Sequence, residues 1–87
     1  MAKLKVKNQA HDIAFIKYKG VKDDGKTFVD LKGSVAASKA FESPLDAAPG
    51  LEVVVTVGGK SQTIKANTNK VLIIEGGTSP ANWKLKY

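Results

Sequence analysis

The chain has 87 residues, no cysteine and a formal net charge of +6, and all 14 of its basic residues are lysine. A chain of this size buries only roughly 60–65% of its unfolded surface, which makes residues 1–87 one thin-cored domain and argues against a large enzyme cleft. Without cysteine there are no disulfides, thiolate metal sites or cysteine nucleophiles; without arginine, the bidentate reading of guanine edges used for sequence-specific duplex recognition is disfavoured.

In chain order, Lys3–Lys7 alternates lysine with Leu4 and Val6 and predicts a first strand with the two aliphatics inward. The same stretch lacks the apolar core of a signal peptide, and no run approaches the roughly 18 apolar residues of a membrane span. A soluble protein of a host cytoplasm or a virion, without a membrane partner, is the expectation. Asn8–Asp12 reads as a turn. Phe15–Lys32 then predicts a hairpin about Asp24-Gly25, a pair suited to a two-residue type I′ turn. That register sets Lys19 opposite Asp30, Tyr18 opposite Leu31 and Val21 opposite Phe28. The period of two puts Ile16, Tyr18, Val29 and Leu31 on a core face. Phe15, Lys17, Lys19, Val21, Lys26, Phe28, Asp30 and Lys32 fall on the other, where lysines and aromatic rings stand side by side. Lysines on a wet face also serve solubility and blunt a sheet edge, but two large rings gain nothing from water unless a ligand or another part of the fold covers them.

Ser34–Phe41 fits either two helical turns or a loose strand, and residues 42–50 (ESPLDAAPG) read as a loop because of their two prolines, glycine and aspartate. Leu51–Val57 is β-branched and predicts a strand. Gly58-Gly59 turns it into Lys60–Ala66, which carries Ile64 and Ala66 on one face. Asn67–Asn69 turns again, Val71–Glu75 predicts a short strand buried on both faces, and Gly76–Pro80 a loop. In Asn82–Tyr87, Trp83, Leu85 and Tyr87 alternate with Lys84 and Lys86, and the rings of Trp83 and Tyr87 are expected to plug the end of the fold. Six or seven short strands predict an all-β protein, a small antiparallel Greek-key barrel of the oligonucleotide-binding (OB-like) kind or a sandwich.

Two patterns invite a catalytic reading and fail it. Gly20–Thr27 satisfies the phosphate-loop spelling G-x4-G-K-[ST], but such a loop needs backbone amides at a helix N-terminus inside a parallel α/β sheet, and Asp23-Asp24 would repel the anion. His11 beside Asp12 suggests a base and its orienting carboxylate, yet no spacing selects a partner among serines 34, 38, 43, 61 and 79. The expectation is a non-enzyme with no metal and no cofactor. The surplus of lysine instead favours polyanions. Non-specific binding of single-stranded DNA or RNA is predicted, with Lys17, Lys19, Lys22, Lys26 and Lys32 on phosphates and Phe15 and Phe28 stacking on bases. A homodimer or higher homo-oligomer is expected. The alternative is a structural virion component, decorating a capsid or tail, in which the two rings are buried against neighbouring capsid or tail proteins. A third reading, a protein that mimics or blocks a host factor, is disfavoured by the charge, because such inhibitors of nucleic-acid enzymes are often acidic.

Three segments resemble the gene V type single-stranded DNA-binding proteins of filamentous phages: the opening MAKLKVKN, the hairpin GVKDDGKTF and the lead APGLEVVVTV into a central strand. The resemblance implies an open Greek-key barrel, a two-fold dimer and cooperative coating of single strands. It makes Lys22, Lys26 and Phe28 residues of a DNA-binding wing, with Phe28 at its stacking position. The chain departs from the family in having lysine or acid where the wing uses arginine, in residues 33–44, and in an additional tail, TSPANWKLKY.

Overall fold

The computed structural model describes residues 3–76 and 82–87, and within them the polar and apolar alternation sets the architecture. β1 (Lys3–Gln9) and β2 (Ala14–Val21) alternate exposed and buried side chains along their length, so Leu4, Val6, Ala14, Ile16 and Tyr18 all enter the core. β3 (Phe28–Val35) returns from β2 as an antiparallel hairpin, followed by β4 (Ala40–Ala47), β5 (Glu52–Val57), β6 (Lys60–Lys65), β7 (Leu72–Glu75) and β8 (Lys84–Lys86). The protein is all-β, as the sequence predicts. Its strands form one sheet in the order β6-β5-β2-β4-β1-β7-β8, with β3 attached to β2 outside that path.

The sheet curls into a nearly closed barrel, and side chains rather than a ladder bridge its seam between β6 and β8. Gln62 Nε2 donates to the Trp83 carbonyl at 2.8 Å, Trp83 Nε1 donates to the Val57 carbonyl at 3.1 Å, and the Tyr87 hydroxyl donates to the Lys65 carbonyl. Trp83 is 1% exposed and lies in the core with Val53, Val55, Val57, Leu72 and Ile74, in accord with its expected role as a plug. The sheet is not wholly antiparallel: β7 runs parallel to β1, Val6 beside Leu72, and antiparallel to β8. Periodicity within a strand carries no information about the direction of its neighbour. The expected loop Gly76–Pro80 lies outside the described residues beyond Gly76.

Three segments depart from the sequence reading. Val71–Glu75, expected to be buried on both faces, buries only Leu72 and Ile74 fully, and Val71 is exposed before β7 begins. Residues 42–47, expected as loop, are the body of β4, and the proline is absorbed by a bulge. Pairing with β1 steps from Lys5↔Glu42 to Lys3↔Asp46, so four residues of β4 oppose two of β1. Buried Ser43 substitutes for the interrupted ladder, its Oγ accepting from the Leu4 amide at 2.8 Å and donating to the Leu45 carbonyl at 2.6 Å. Asn8, expected in a turn, is fully buried within β1. Its Nδ2 donates to the carbonyls of Asp12 and Val35, and its Oδ1 accepts from the Ala10 amide, each at 2.9 Å. The ambiguous Ser34–Phe41 resolves into the end of β3, a turn and the start of β4. Gly58 and Gly59 both adopt positive φ, the two-residue hairpin that their sequence predicts.

One core group is incompletely satisfied. Among the described side chains the Tyr18 hydroxyl alone is buried without a hydrogen bond of good geometry, and burial pushes its phenol above its ordinary pKa, the nearby Ser43 hydroxyl offsetting this only in part. Ser43 Oγ already donates to Leu45 and accepts from the Leu4 amide. Tyr18→Phe removes a desolvated hydroxyl that has no compensating bond, so it is expected to raise the unfolding free energy by about 1 kcal/mol. Urea midpoints read this directly, and a lowered midpoint would mean that the hydroxyl has a partner. No helix long and apolar enough to cross a membrane occurs among the described residues.

Candidate nucleic-acid interface

The β2–β3 hairpin carries the predicted site, in the predicted register: Tyr18↔Leu31, Lys19↔Asp30 and Val21↔Phe28. Alternation turns Ile16, Tyr18 and Leu31 toward the core and leaves Phe15, Lys17, Lys19, Phe28, Asp30 and Lys32 outward. The fold does not cover the two rings. Phe15 is 53% exposed and Phe28 58%, which removes the reading in which another part of the subunit buries them. Val21 corrects the expectation. It shares a register position with Phe28 but is only 3% exposed, because the end of β2 leaves β5 and docks on β4 through Gly20↔Ala47 and Val21↔Asp46.

The turn also differs from the expected type I′ geometry, which needs positive φ at both central residues. Among residues 22–27 only Gly25 has it, at +71°. The Gly25 amide bonds the Lys22 carbonyl, and the Lys22 amide bonds the Thr27 carbonyl, each at 2.9 Å, leaving a four-residue loop in unchanged register. Asp24 holds this loop by its side chain instead. Its carboxylate accepts from the Lys26 and Thr27 amides at 2.8 and 2.9 Å and from the Thr27 hydroxyl at 2.5 Å. These bonds, led by the hydroxyl, hold the Asp24 carboxyl below the usual aspartate range. A depressed carboxylate pKa means that the loop contact is fully present at neutral pH and is lost as pH falls through that lowered value. In an amide NMR titration, the Lys26 and Thr27 signals should therefore move with a midpoint below that of an ordinary aspartate; a midpoint at or above it would contradict the loop geometry. Lys22 and Lys26 are exposed on this tip, and the phosphate-loop spelling of Gly20–Thr27 is a strand end and a hairpin loop, with no helix after it.

The electrostatics of the face follow from the pairing. Lys19 forms an ion pair with Asp30, whose carboxyl is held below the usual range by that hydrogen bond and charge and, less strongly, by Lys32. Elsewhere in the sheet, cross-strand lysines meet acids or neutral residues: Lys3↔Asp46, Lys5↔Glu42, Lys65↔Glu52 and Lys84↔Glu75, with Lys86 also bridging to Glu75 at 2.8 Å. Lys17↔Lys32 is the exception, the single like-charge pair in the registers of the described strands. The Lys19 carbonyl accepts from the Ala48 amide and so points away from β3. Lys19↔Asp30 is therefore a non-hydrogen-bonded pair, and by alternation so is Lys17↔Lys32, the arrangement in which opposed side chains stand closest. Like charges directly opposed are destabilising by roughly 0.2–1 kcal/mol.

Beside this pair lies an open groove of about 590 Å³, lined by Lys17, Lys19 and Lys32, by the acids Asp30 and Glu52, and by an apolar floor that includes Leu51 and Val54. These two floor residues escaped the sequence reading. Leu51–Val57 is β-branched on both faces, so its pattern did not reveal that 53, 55 and 57 point inward and 52, 54 and 56 outward, nor that β5 lies against β2 through Lys17↔Val54. Phe15 and Phe28 bracket the basic strip. They stand six residues apart along the ribbon in this register, about 20 Å at strand rise. His11 is exposed in the bend between β1 and β2. No protein family, curated protein or solved structure matches this chain.

Proposed function

We propose that the outer face of the β2–β3 hairpin binds single-stranded nucleic acid without sequence preference and that the protein performs no catalytic step. The observation that carries this is the Lys17↔Lys32 pair, an unneutralised charge juxtaposition set between two exposed aromatic rings. An isolated fold gains nothing from such a pair, whereas a phosphate between the two ammonium groups turns repulsion into attraction. Lys22 and Lys26 at the tip and Lys19 at the groove extend the cationic track, while Phe15 and Phe28 supply stacking planes worth roughly 1–3 kcal/mol per base. Lysine alone tracks a backbone as a point charge and does not read base edges, which matches binding indifferent to sequence. The resemblance to gene V type wings assigns the same work to Lys22, Lys26 and Phe28.

A fluorescence titration with poly-dT at two ionic strengths tests this. Four phosphate contacts give a slope of about −3 in log K against log salt. Phe28→Ala should weaken the complex roughly 5- to 150-fold, the equivalent of one lost stack, and leave the slope unchanged. Absence of binding at low salt, or of any salt dependence, overturns the proposal. A particle that self-assembles and ignores a 20-mer in size-exclusion chromatography would instead favour the structural virion role.

A further inference from the structure

We infer that the outer edge of β3 is a pairing edge for β3 of a second copy of this chain, in an antiparallel register centred on Leu31 that delivers Phe28 of each copy to Phe15 of the other. Among the described strands β3 pairs with β2 alone, so its second edge presents a row of backbone donors and acceptors that no described strand pairs. Protected edges carry proline, a bulge, a covering element or lysine; of these β3 has only Lys32, with the opposite charge of Asp30 two residues away. Pairing of β3 with β2 runs unbroken from Phe28 to Val35 with no register shift, and its sequence, FVDLKGSV, has no proline.

Edge geometry and charge together select the register. Because Lys19↔Asp30 is a non-hydrogen-bonded pair within the hairpin, Phe28, Asp30, Lys32 and Ser34 are the residues whose amides and carbonyls face outward from β3. Two copies can form a ladder only by matching these residues with one another. Centring on Leu31 sets Asp30 opposite Lys32 of the second copy, and Lys32 opposite its Asp30. A shift of two residues one way opposes Lys32 to Lys32, and the other way Asp30 to Asp30; only the register centred on Leu31 opposes unlike charges. Both residues are exposed, and opposed residues of an antiparallel pair share a face, so the two lysine-bearing faces become one.

Across the joined sheet, one row then reads Lys17, Lys32, then Asp30 and Lys19 of the second copy. The like-charge pair gains an acidic neighbour while each row keeps two surplus positive charges. The next row reads Phe15, Ser34, then Phe28 of the second copy. Two strand spacings separate these rings, about 10 Å, with only a serine between them, against about 20 Å within one chain. The use of those rings rests on the proposed function; the pairing does not.

The test is sedimentation equilibrium of the full chain with no oligonucleotide. The wild-type chain should form a two-chain species, and Asp30→Lys and Lys32→Asp should each weaken it at least tenfold by opposing like charges twice. An equimolar mixture of the two variants should recover wild-type association, because every cross-copy pair is then lysine against aspartate. Circular dichroism checks that these exposed substitutions leave the fold intact. A wild-type chain that stays single at the highest concentration, variants that associate as tightly as wild type, or a mixture no tighter than its components would each overturn the pairing. Lys22→Ala/Lys26→Ala should weaken poly-dT binding and leave self-association unchanged, so failure of nucleic-acid binding and failure of the pairing are read separately.

Discussion

Replacing Lys17, Lys22 and Lys26 together by alanine is expected to weaken binding to a single-stranded oligonucleotide several hundredfold at about 50 mM salt and to flatten the salt slope by about 2. Each phosphate contact on a single strand contributes roughly 0.7 to the slope, or about 0.9 in log K between 50 mM and 1 M salt, and three contacts are removed. All three side chains are exposed, and none is paired with an acid across a strand, so folding does not depend on their charge. Lys17→Ala alone carries a sharper signature. It removes one member of the Lys17↔Lys32 juxtaposition, and the relief of opposed charge should raise stability by a few tenths of a kcal/mol while affinity falls about eightfold. A residue kept for solubility would leave affinity unchanged, and one kept for folding would show the opposite sign in urea. Retained affinity in the triple variant, or a lowered urea midpoint for Lys17→Ala, would remove the argument that this pair serves a ligand.

What the sequence disclosed and concealed divides along a physical line. Local periodicity placed Leu4, Val6, Ile16, Tyr18 and Trp83 in the core and Phe15, Lys17 and Phe28 in solvent, because in a strand the facing of a side chain is decided two residues at a time. Asp24-Gly25 located the hairpin and its register even though the turn type was different, since a four-residue and a two-residue loop about the same centre conserve the pairing. Concealed were the features that depend on a distant segment. Asn8 looks like a turn residue until Val35 and Asp12 offer it their carbonyls. Pro44 looks like a strand breaker until a bulge against β1 accepts it. Val21 looks exposed until β4 closes over the end of β2. The candidate site divides in the same way: its lysines and rings were legible, whereas the groove floor at Leu51 and Val54 needed the adjacency of β5 and β2.

The largest effect on the fold is expected from Trp83→Ala. The ring is the largest fully buried side chain, and it sits at the seam that no β-ladder closes, with its indole N–H on the Val57 carbonyl and its own carbonyl held by Gln62. Truncating a buried tryptophan costs roughly 3–5 kcal/mol through lost transfer free energy and the cavity that remains, and the Val57 carbonyl loses its indole donor as well. A chain of 87 residues has a total stability of roughly 4–13 kcal/mol. The substitution therefore removes between roughly a quarter and all of it. Far-UV circular dichroism in urea should show the midpoint lowered by about 2 M or more, or no folded baseline at all. Trp83→Phe separates the two contributions: it keeps most of the packing, loses the hydrogen bond, and should cost only about 1–2 kcal/mol. β8 pairs with β7 over only three residue pairs, so without the ring its docking against β6 rests on the Tyr87 hydroxyl and on the bond from Gln62 to the backbone carbonyl of residue 83. Hydrogen exchange should accordingly rise first at the amides of β8 and β6 and later in β1 and β2. Uniform loss of protection, or a Trp83→Ala midpoint close to wild type, would show that the barrel is held shut by something other than this side chain.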